Sequence, residues 1–151
     1  RHRLAVSSLE ELFDGHFHAV LAEKDPLDPV RVTRLVLCSG KVYYDLLEVR
    51  RERNLGHVAI VRLEQLYPFP LEQINAMIDL YPNAREVVWL QEEPENMGAW
   101  NHIKGRLYEA HDDTHIIRRV SRQESASPAT GSSAIHHAEV HDLMESALGG
   151  I

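Results

Sequence analysis

The sequence predicts an α/β fold in which a mainly parallel sheet carries helices on both faces. Two observations predict it. Four short runs rich in apolar and β-branched residues recur along the chain, and longer stretches with helical periodicity separate them. Strands joined through helical crossovers lie parallel in one sheet, and the crossovers cover its faces.

The elements follow in order. Thr33–Cys38 is a short, mostly apolar run that ends at Ser39-Gly40, as expected of a strand buried on both sides. Lys41 to Arg53 reads as a helix, with Val42, Leu46 and Val49 on one face and Asp45, Glu48, Arg51 and Glu52 on the polar side. Asn54-Leu55-Gly56 carries the stop signal. His57–Leu63 is the second strand. After the turn Tyr67-Pro68-Phe69-Pro70, in which Pro70 suits a first helical turn, Leu71, Ile74, Met77, Ile78 and Tyr81 recur at helical spacing. Pro82-Asn83 ends that helix, and Arg85–Gln91 is the third strand. Glu92 to Asn96 is expected as a loop, with Asn96 capping a helix that carries Trp100, Ile103 and Leu107. His115–Val120 is a fourth strand. A polar, serine-rich loop from Ser121 to Gly131 then leads to a last helix, which begins near Ser132-Ser133, carries Ile135, Val140, Leu143, Met144, Ala147 and Leu148, and ends at Gly149-Gly150. Upstream, Phe17–Leu21 is a candidate for one more strand, ahead of the linker Asp25-Pro26-Leu27-Asp28-Pro29.

Composition narrows the function. The 151 residues favour one domain with its own core. Sixteen basic against twenty-three acidic residues give a formal charge of -7, the wrong balance for displacing counterions from nucleic acid. No apolar run reaches the roughly 18–20 residues that cross a bilayer, so neither nucleic acid nor membrane is expected as a partner. The single cysteine, Cys38, permits no internal disulfide and suggests a reducing intracellular compartment. The chain opens on Arg1 and its first methionine is Met77, which favours a piece of a longer protein.

Candidate chemistry is sparse. Ser39-Gly40-Lys41 joins a strand to a helix start, where helix dipoles and an open sheet edge attract anions; without the spacing of a phosphate loop, a plain structural turn is the simpler reading. His137 and His141 lie four apart on one helix face, but Glu139 stands one position too late for a zincin helix. His111-Asp112-Asp113-Thr114-His115 reads as a polar turn. Glu92 and Glu93 are adjacent carboxylates on a loop, suited to shaping it or meeting a partner rather than to acid/base work. Cys38 sits in an apolar run and reads as core. No nucleophile elbow or dinucleotide fingerprint is present, and no catalytic, cofactor or metal residue is assigned.

Four ordered stretches carry a family resemblance: Leu37-Cys38-Ser39-Gly40-Lys41-Val42-Tyr43-Tyr44-Asp45-Leu46-Leu47-Glu48; Val58-Ala59-Ile60-Val61-Arg62-Leu63-Glu64-Gln65-Leu66-Tyr67-Pro68-Phe69-Pro70; Gln91-Glu92-Glu93-Pro94 through Gly98-Ala99-Trp100; and Ser125-Ala126-Ser127-Pro128-Ala129-Thr130-Gly131. Together they resemble the C-terminal region of the thiamine diphosphate-dependent, decarboxylating first component of 2-oxoglutarate dehydrogenase, with Arg1 to Ser8 as the lead-in. Met97, where relatives commonly carry Gln, and Val120 to Glu124, where they often show Gly-Arg-Pro, depart from the pattern. The resemblance implies a transketolase-like α/β/α sandwich with a five-stranded mixed sheet whose first strand runs antiparallel. It implies a lead-in over residues 1–30 and a C-terminal α/β domain over residues 31–151. In such enzymes thiamine diphosphate and magnesium bind other domains through a Gly-Asp-Gly…Asn motif that this sequence lacks, so the fragment alone is expected to be inactive.

The expected role is packing against catalytic domains of the same polypeptide, support of a homodimer, and indirect service to a lipoyl succinyltransferase, in the bacterial cytoplasm or, in a eukaryote, the mitochondrial matrix. The resemblance implies that an effector is possible, since some such enzymes respond to acetyl-CoA or nucleotides, and the basic head segment and the Ser-Gly-Lys turn make Arg1, Arg3, Ser7, Ser8, Ser39, Gly40 and Lys41 candidates for an effector or anion site. Glu92, Glu93 and Trp100 are candidates for an interface, with Tyr43, Tyr44 and Phe69 the other aromatics to inspect. A free-standing nucleotide- or acyl-CoA-sensing module is the alternative.

Overall fold

A computed structural model describes residues 3–6, 9–13 and 15–149. Its strands are β1 (Val20–Leu21), β2 (Arg34–Cys38), β3 (Val58–Leu63), β4 (Glu86–Pro94) and β5 (Ile116–Arg122); its helices are α1 (Leu9–Phe13), α2 (Val42–Glu52), α3 (Leu71–Asp79), α4 (Trp100–His111) and α5 (Ser133–Leu148). The strands form one sheet in the order β1-β3-β2-β4-β5. β1 pairs antiparallel with β3, and every other pair is parallel. The mixed five-stranded sheet that the resemblance implies is therefore present.

The alternation along each strand divides the core in two. Leu35, Leu37, Ala59, Val61, Val87 and Trp89 face α3 and α4, where they meet Ile74, Ile78, Ile103 and Leu107. Val36, Cys38, Val58, Ile60, Val88 and Leu90 face α2 and α5, where they meet Leu46, Leu47, Leu143 and Leu148. Burying one such aliphatic side chain contributes about 1.5–3 kcal/mol. That is why strands covered on both sides read as unbroken apolar runs.

Two buried arginines join elements that the hydrophobic pattern leaves separate. Arg34, at the start of β2, donates from Nε to Glu86 Oε2 at 2.7 Å and from Nη1 to the carbonyl of Ala147 at 3.0 Å, with Gly149 O as a further acceptor. It thus places a cation on the carbonyl end of α5, where the helix dipole favours one. Arg50 on α2 donates to Glu23 Oε2 and Oε1 at 3.0 Å each and to the carbonyl of Val58 at 3.2 Å, and it also bonds Asp25. Glu23 in turn accepts the backbone N–H of Ile60 at 2.7 Å. Residues 20–25 are tied to the sheet in this way.

Four local expectations are corrected. The Phe17–Leu21 strand shrinks to Val20–Leu21, and Phe17 is exposed. The five residues of α1 form a helix that was not expected. β4 continues to Pro94 through a register irregularity between Leu90 and Pro94, so Glu92 and Glu93 lie in an extended strand and not in a loop. Ala99, not Asn96, precedes α4. Gly150, half of the expected stop after α5, lies outside the described residues.

Candidate functional site

β2 and β4 are neighbours, yet the chain leaves them toward helices on opposite faces, α2 and α4. Such a divergence opens a crevice at the C-terminal ends of the two strands, the place where open α/β sheets take ligands. Its walls are the Ser39-Gly40-Lys41 turn and the segment from Gln91 to Ala99. Gly40 has φ +75, a left-handed conformation that L side chains resist, so the sharp turn into α2 depends on it.

Lys41 is 56% exposed at the side chain, with Nζ 2.5 Å from Asp45 Oδ2 and 3.5 Å from Glu92 Oε1. Partial burial pulls its pKa down, but the hydrogen bond it donates to Asp45 and the charges of Glu92 and Asp45 outweigh that and leave it raised. Arg3 Nε donates to Glu48 Oε1 at 3.0 Å. Glu48 lies one turn beyond Asp45 on α2, so the structure brings Arg3 and Lys41 to one flank of that helix. Both cations are already matched by carboxylates, and an anion entering here would compete with them. Arg1, Ser7 and Ser8 lie outside the described residues.

The opposite wall is built on Gln91, which is 3% exposed. Its Oε1 accepts from Trp89 Nε1 at 2.9 Å and from the backbone N–H of Trp100 at 3.0 Å. Its amide nitrogen donates to the carbonyls of Met97 at 2.8 Å, Pro94 at 3.0 Å and Glu93 at 3.3 Å. One side chain therefore ends β4, shapes the loop and starts α4, the task assigned to Asn96. Asn96 instead pins the serine-rich loop: its amide donates to Ser125 O at 3.0 Å and its Oδ1 accepts from Ser125 N at 3.1 Å. Gly98, with φ +69, lies so close that an added Cβ would stand 2.9 Å from the Gln91 amide nitrogen.

Trp100 is 6% exposed and packs within the domain's own core, so it offers no free interface face. Tyr43 is likewise buried, with the Arg62 guanidinium 4.7 Å from its ring centroid and 5.3 Å from that of Tyr44. The exposed apolar surface lies elsewhere, at Tyr67 beyond β3 and at Val6, Leu9, Phe13 and Phe17 in the lead-in. Val6, Leu9 and Phe13 recur at a helical spacing, but over too short a run to be read as an element of the sequence.

Among the described residues no group of three or more His, Cys, Asp or Glu could hold a metal ion. His137 Nδ1 lies 2.7 Å from Ser133 O, and His141 stands 4.0 Å from Glu145. Burial holds the pKa values of His111 and His115 below the usual histidine range. Burial also pushes the Cys38 thiol up to about 12, so it carries no thiolate chemistry. The residues that organise the edge, Gln91, Arg34 and Arg50, went unread. For Gln91 and Arg34 the signal is a polar or charged residue at the end of an apolar strand, whereas Arg50 sits inside α2, and partners such as Glu86, Ala147 and Glu23 lie too far along the chain for spacing to find.

The 2-oxoglutarate dehydrogenase C-terminal family matches residues 6–148. Curated relatives called 2-oxoglutarate dehydrogenase E1 component are 49% identical over 148 residues in Haemophilus influenzae, 47% over 151 in Azotobacter vinelandii and 46% over 150 in Coxiella burnetii. Each alignment covers 98% of this chain and 16% of the relative, so the chain spans about a sixth of their length.

Proposed function

The chain belongs to the 2-oxoglutarate dehydrogenase C-terminal family, and from that premise we propose that it serves a thiamine diphosphate-dependent first component as its non-catalytic C-terminal domain. The parent enzyme would decarboxylate 2-oxoglutarate oxidatively and pass the succinyl group to a lipoyl arm of a succinyltransferase, in a bacterial cytoplasm. Thiamine diphosphate and magnesium would supply the decarboxylation chemistry there. This chain's residues do not fit that group: the Gly-Asp-Gly…Asn motif is missing from the sequence, and no metal-holding cluster forms among the described residues. Its own work is architectural. The edge bearing Glu92, Glu93 and the exposed Tyr67 would meet the catalytic domains and support the homodimer.

The observation that carries this reading is the near-complete match of this chain to one sixth of E1 components. A free-standing sensor draws no support from those relatives. An immunoblot of source cells with an antibody to this chain should show a band several times larger than 17.2 kDa, and the captured polypeptide should release carbon dioxide from 2-oxoglutarate when given thiamine diphosphate and magnesium. A band at the chain's own mass, or a large polypeptide without that activity, would overturn it.

The same domain would take an anionic effector at the start of α2, with Arg3, Ser39, Gly40 and Lys41 its described residues and Arg1, Ser7 and Ser8 its expected neighbours in sequence. Support comes from the crevice between β2 and β4 and from the shared flank of Arg3 and Lys41. In the parent enzyme Lys41→Glu should abolish the response to added acetyl-CoA while unstimulated turnover persists; an unchanged response removes the site.

A further inference from the structure

The turn from α4 into β5 lies at the end of the sheet opposite the β2/β4 crevice, and it holds a buried imidazole. His111, the last residue of α4, is 8% exposed, and its Nε2 is buried with no hydrogen-bond partner among the described residues. Its backbone carbonyl, by contrast, closes the turn: it accepts from Thr114 N at 3.0 Å, from His115 N at 2.8 Å and from Thr114 Oγ1 at 3.2 Å. The ring meets that of His115 edge-on, with centroids 5.7 Å apart. One residue therefore both ties the turn together and leaves inside it a ring nitrogen that nothing satisfies. A buried polar atom left unmatched costs about 1–3 kcal/mol, and a buried charge without a partner costs more. The fold tolerates the neutral ring, whereas a proton on it makes an unpaired cation in the interior.

The charges around the ring fix the direction of the effect. From α3, Asp79 favours the cation, but it is exposed at the end of its helix. From the turn, His115 opposes it, and Arg85, just before β4, opposes charge on His115 in the same way. Asp112 and Asp113 are exposed in that turn. Glu86 and Arg118, on the adjoining strands, pair with each other on the other face of the sheet, where Arg34 also holds Glu86. Burial, with His115, outweighs Asp79, so the pKa of His111 lies below the ordinary histidine value. His115 differs, because it is half-buried and its Nδ1 has Thr114 Oγ1 at 2.8 Å as a partner. A His111 ring turned out into water regains the ordinary value, so opening the turn takes up a proton. Opening is then insensitive to pH well above the ordinary histidine value and grows as pH falls from there toward the lower folded one.

We propose that His111 is an acid-sensitive latch on the α4–β5 turn: its neutral ring keeps residues 111–115 closed, and its protonation swings the imidazolium out toward Asp79 and frees the end of α4 with the start of β5. Gln91 fixes α4 at its other end, so the opening is confined to this end of the helix. The latch is separate from the β2/β4 crevice and does not depend on the parent enzyme's chemistry.

The test uses the full polypeptide that carries this chain. Hydrogen exchange at the amides of Thr114 and His115, corrected for the chemical rate, should show opening about threefold or more as frequent at pH 5.5 as at pH 7.5, the sign and scale of one histidine proton taken up. That window lies above the ordinary carboxylate range, so acidic groups do not supply the response. His111→Gln, which is neutral at every pH, should flatten it, while His115→Gln should keep most of it. In the unaltered polypeptide, slow exchange of the imidazole Cε1 hydrogen, followed by mass spectrometry, should give His111 a titration midpoint below the ordinary histidine value. This second reading decides the matter if the glutamine variant stands open at every pH. A turn that opens equally at both pH values, an undiminished response in His111→Gln, a response lost only in His115→Gln, or an ordinary or raised midpoint for His111 would overturn the proposal.

Discussion

At the scale of single residues, the polar groups inside the core decide more than the polar groups outside it. Gln91 satisfies two donors and three carbonyls around the end of β4, and each buried partner left unmatched costs about 1–3 kcal/mol. Gln91→Leu keeps the volume and removes every one of those bonds, so it should destabilise the domain by about 2–4 kcal/mol, read as a lowered urea midpoint with an unchanged slope. Gly98→Ala should act through the same centre, because its Cβ meets the Gln91 amide at 2.9 Å and its φ is +69. A loss of about 1–3 kcal/mol is expected. In the double variant the two losses should fall well short of their sum, since one side of the clash is gone; strict additivity would show that Gly98 does not act through Gln91.

At the scale of elements, the apolar strands were legible and the polar joints were not. β2 and β3 begin and end within a residue of their apolar runs, because a strand covered on both faces has no alternative to being apolar throughout, whereas the half-buried edge strand β5 runs two residues past Val120. β4 outran its run by three residues, since a register shift and the Gln91 amide carry the chain on to Pro94. β1 is two residues long, and hydropathy has little to do with its place. What holds that segment is Glu23 and Asp25 on Arg50 and Arg51, a set of partners 25 to 27 residues apart. The crevice was legible as a turn between strand and helix, whereas the carboxylates that neutralise Lys41 come partly from another strand.

Two outcomes follow for the joint between β1 and α2. Arg50→Met leaves the buried Glu23 carboxylate without its cation and should cost about 3–5 kcal/mol, the usual penalty for breaking a buried pair from one side. Arg51, through its hydrogen bond, together with the charge of Arg50, holds the Asp25 pKa below the ordinary carboxylate range. A depressed folded pKa means that the unfolded chain binds the proton more tightly. The stabilisation is therefore complete above the ordinary carboxylate pKa and fades as pH falls through the lower folded value. Hydrogen exchange of Val20 and Leu21 should accelerate over that acidic window in the native protein, and Asp25→Asn should flatten this response; an equally steep response in the variant would assign the acid sensitivity to other groups.

At the scale of the whole molecule, the two faces of the sheet are fully covered by α2 with α5 and by α3 with α4, so the domain's own core is closed. The apolar surface that remains is at its periphery, with Phe13 88% exposed and Val6, Leu9 and Phe17 also largely so. Exposed apolar side chains of this kind suit a surface that is covered in an assembly, and under the proposed function the rest of the first component would cover it. The isolated 151-residue chain should then bind a hydrophobic dye such as ANS and self-associate with rising concentration. Leu9→Ser with Phe13→Ser should suppress both. Because neither side chain belongs to a buried cluster, each change should alter unfolding stability by no more than about 0.5 kcal/mol. In the full polypeptide the same pair should weaken the docking of this domain on the rest, seen as easier proteolytic release of a fragment near 17.2 kDa. Undiminished dye binding by the double variant would place the sticky surface elsewhere, with Tyr67 beyond β3 the first residue to change next.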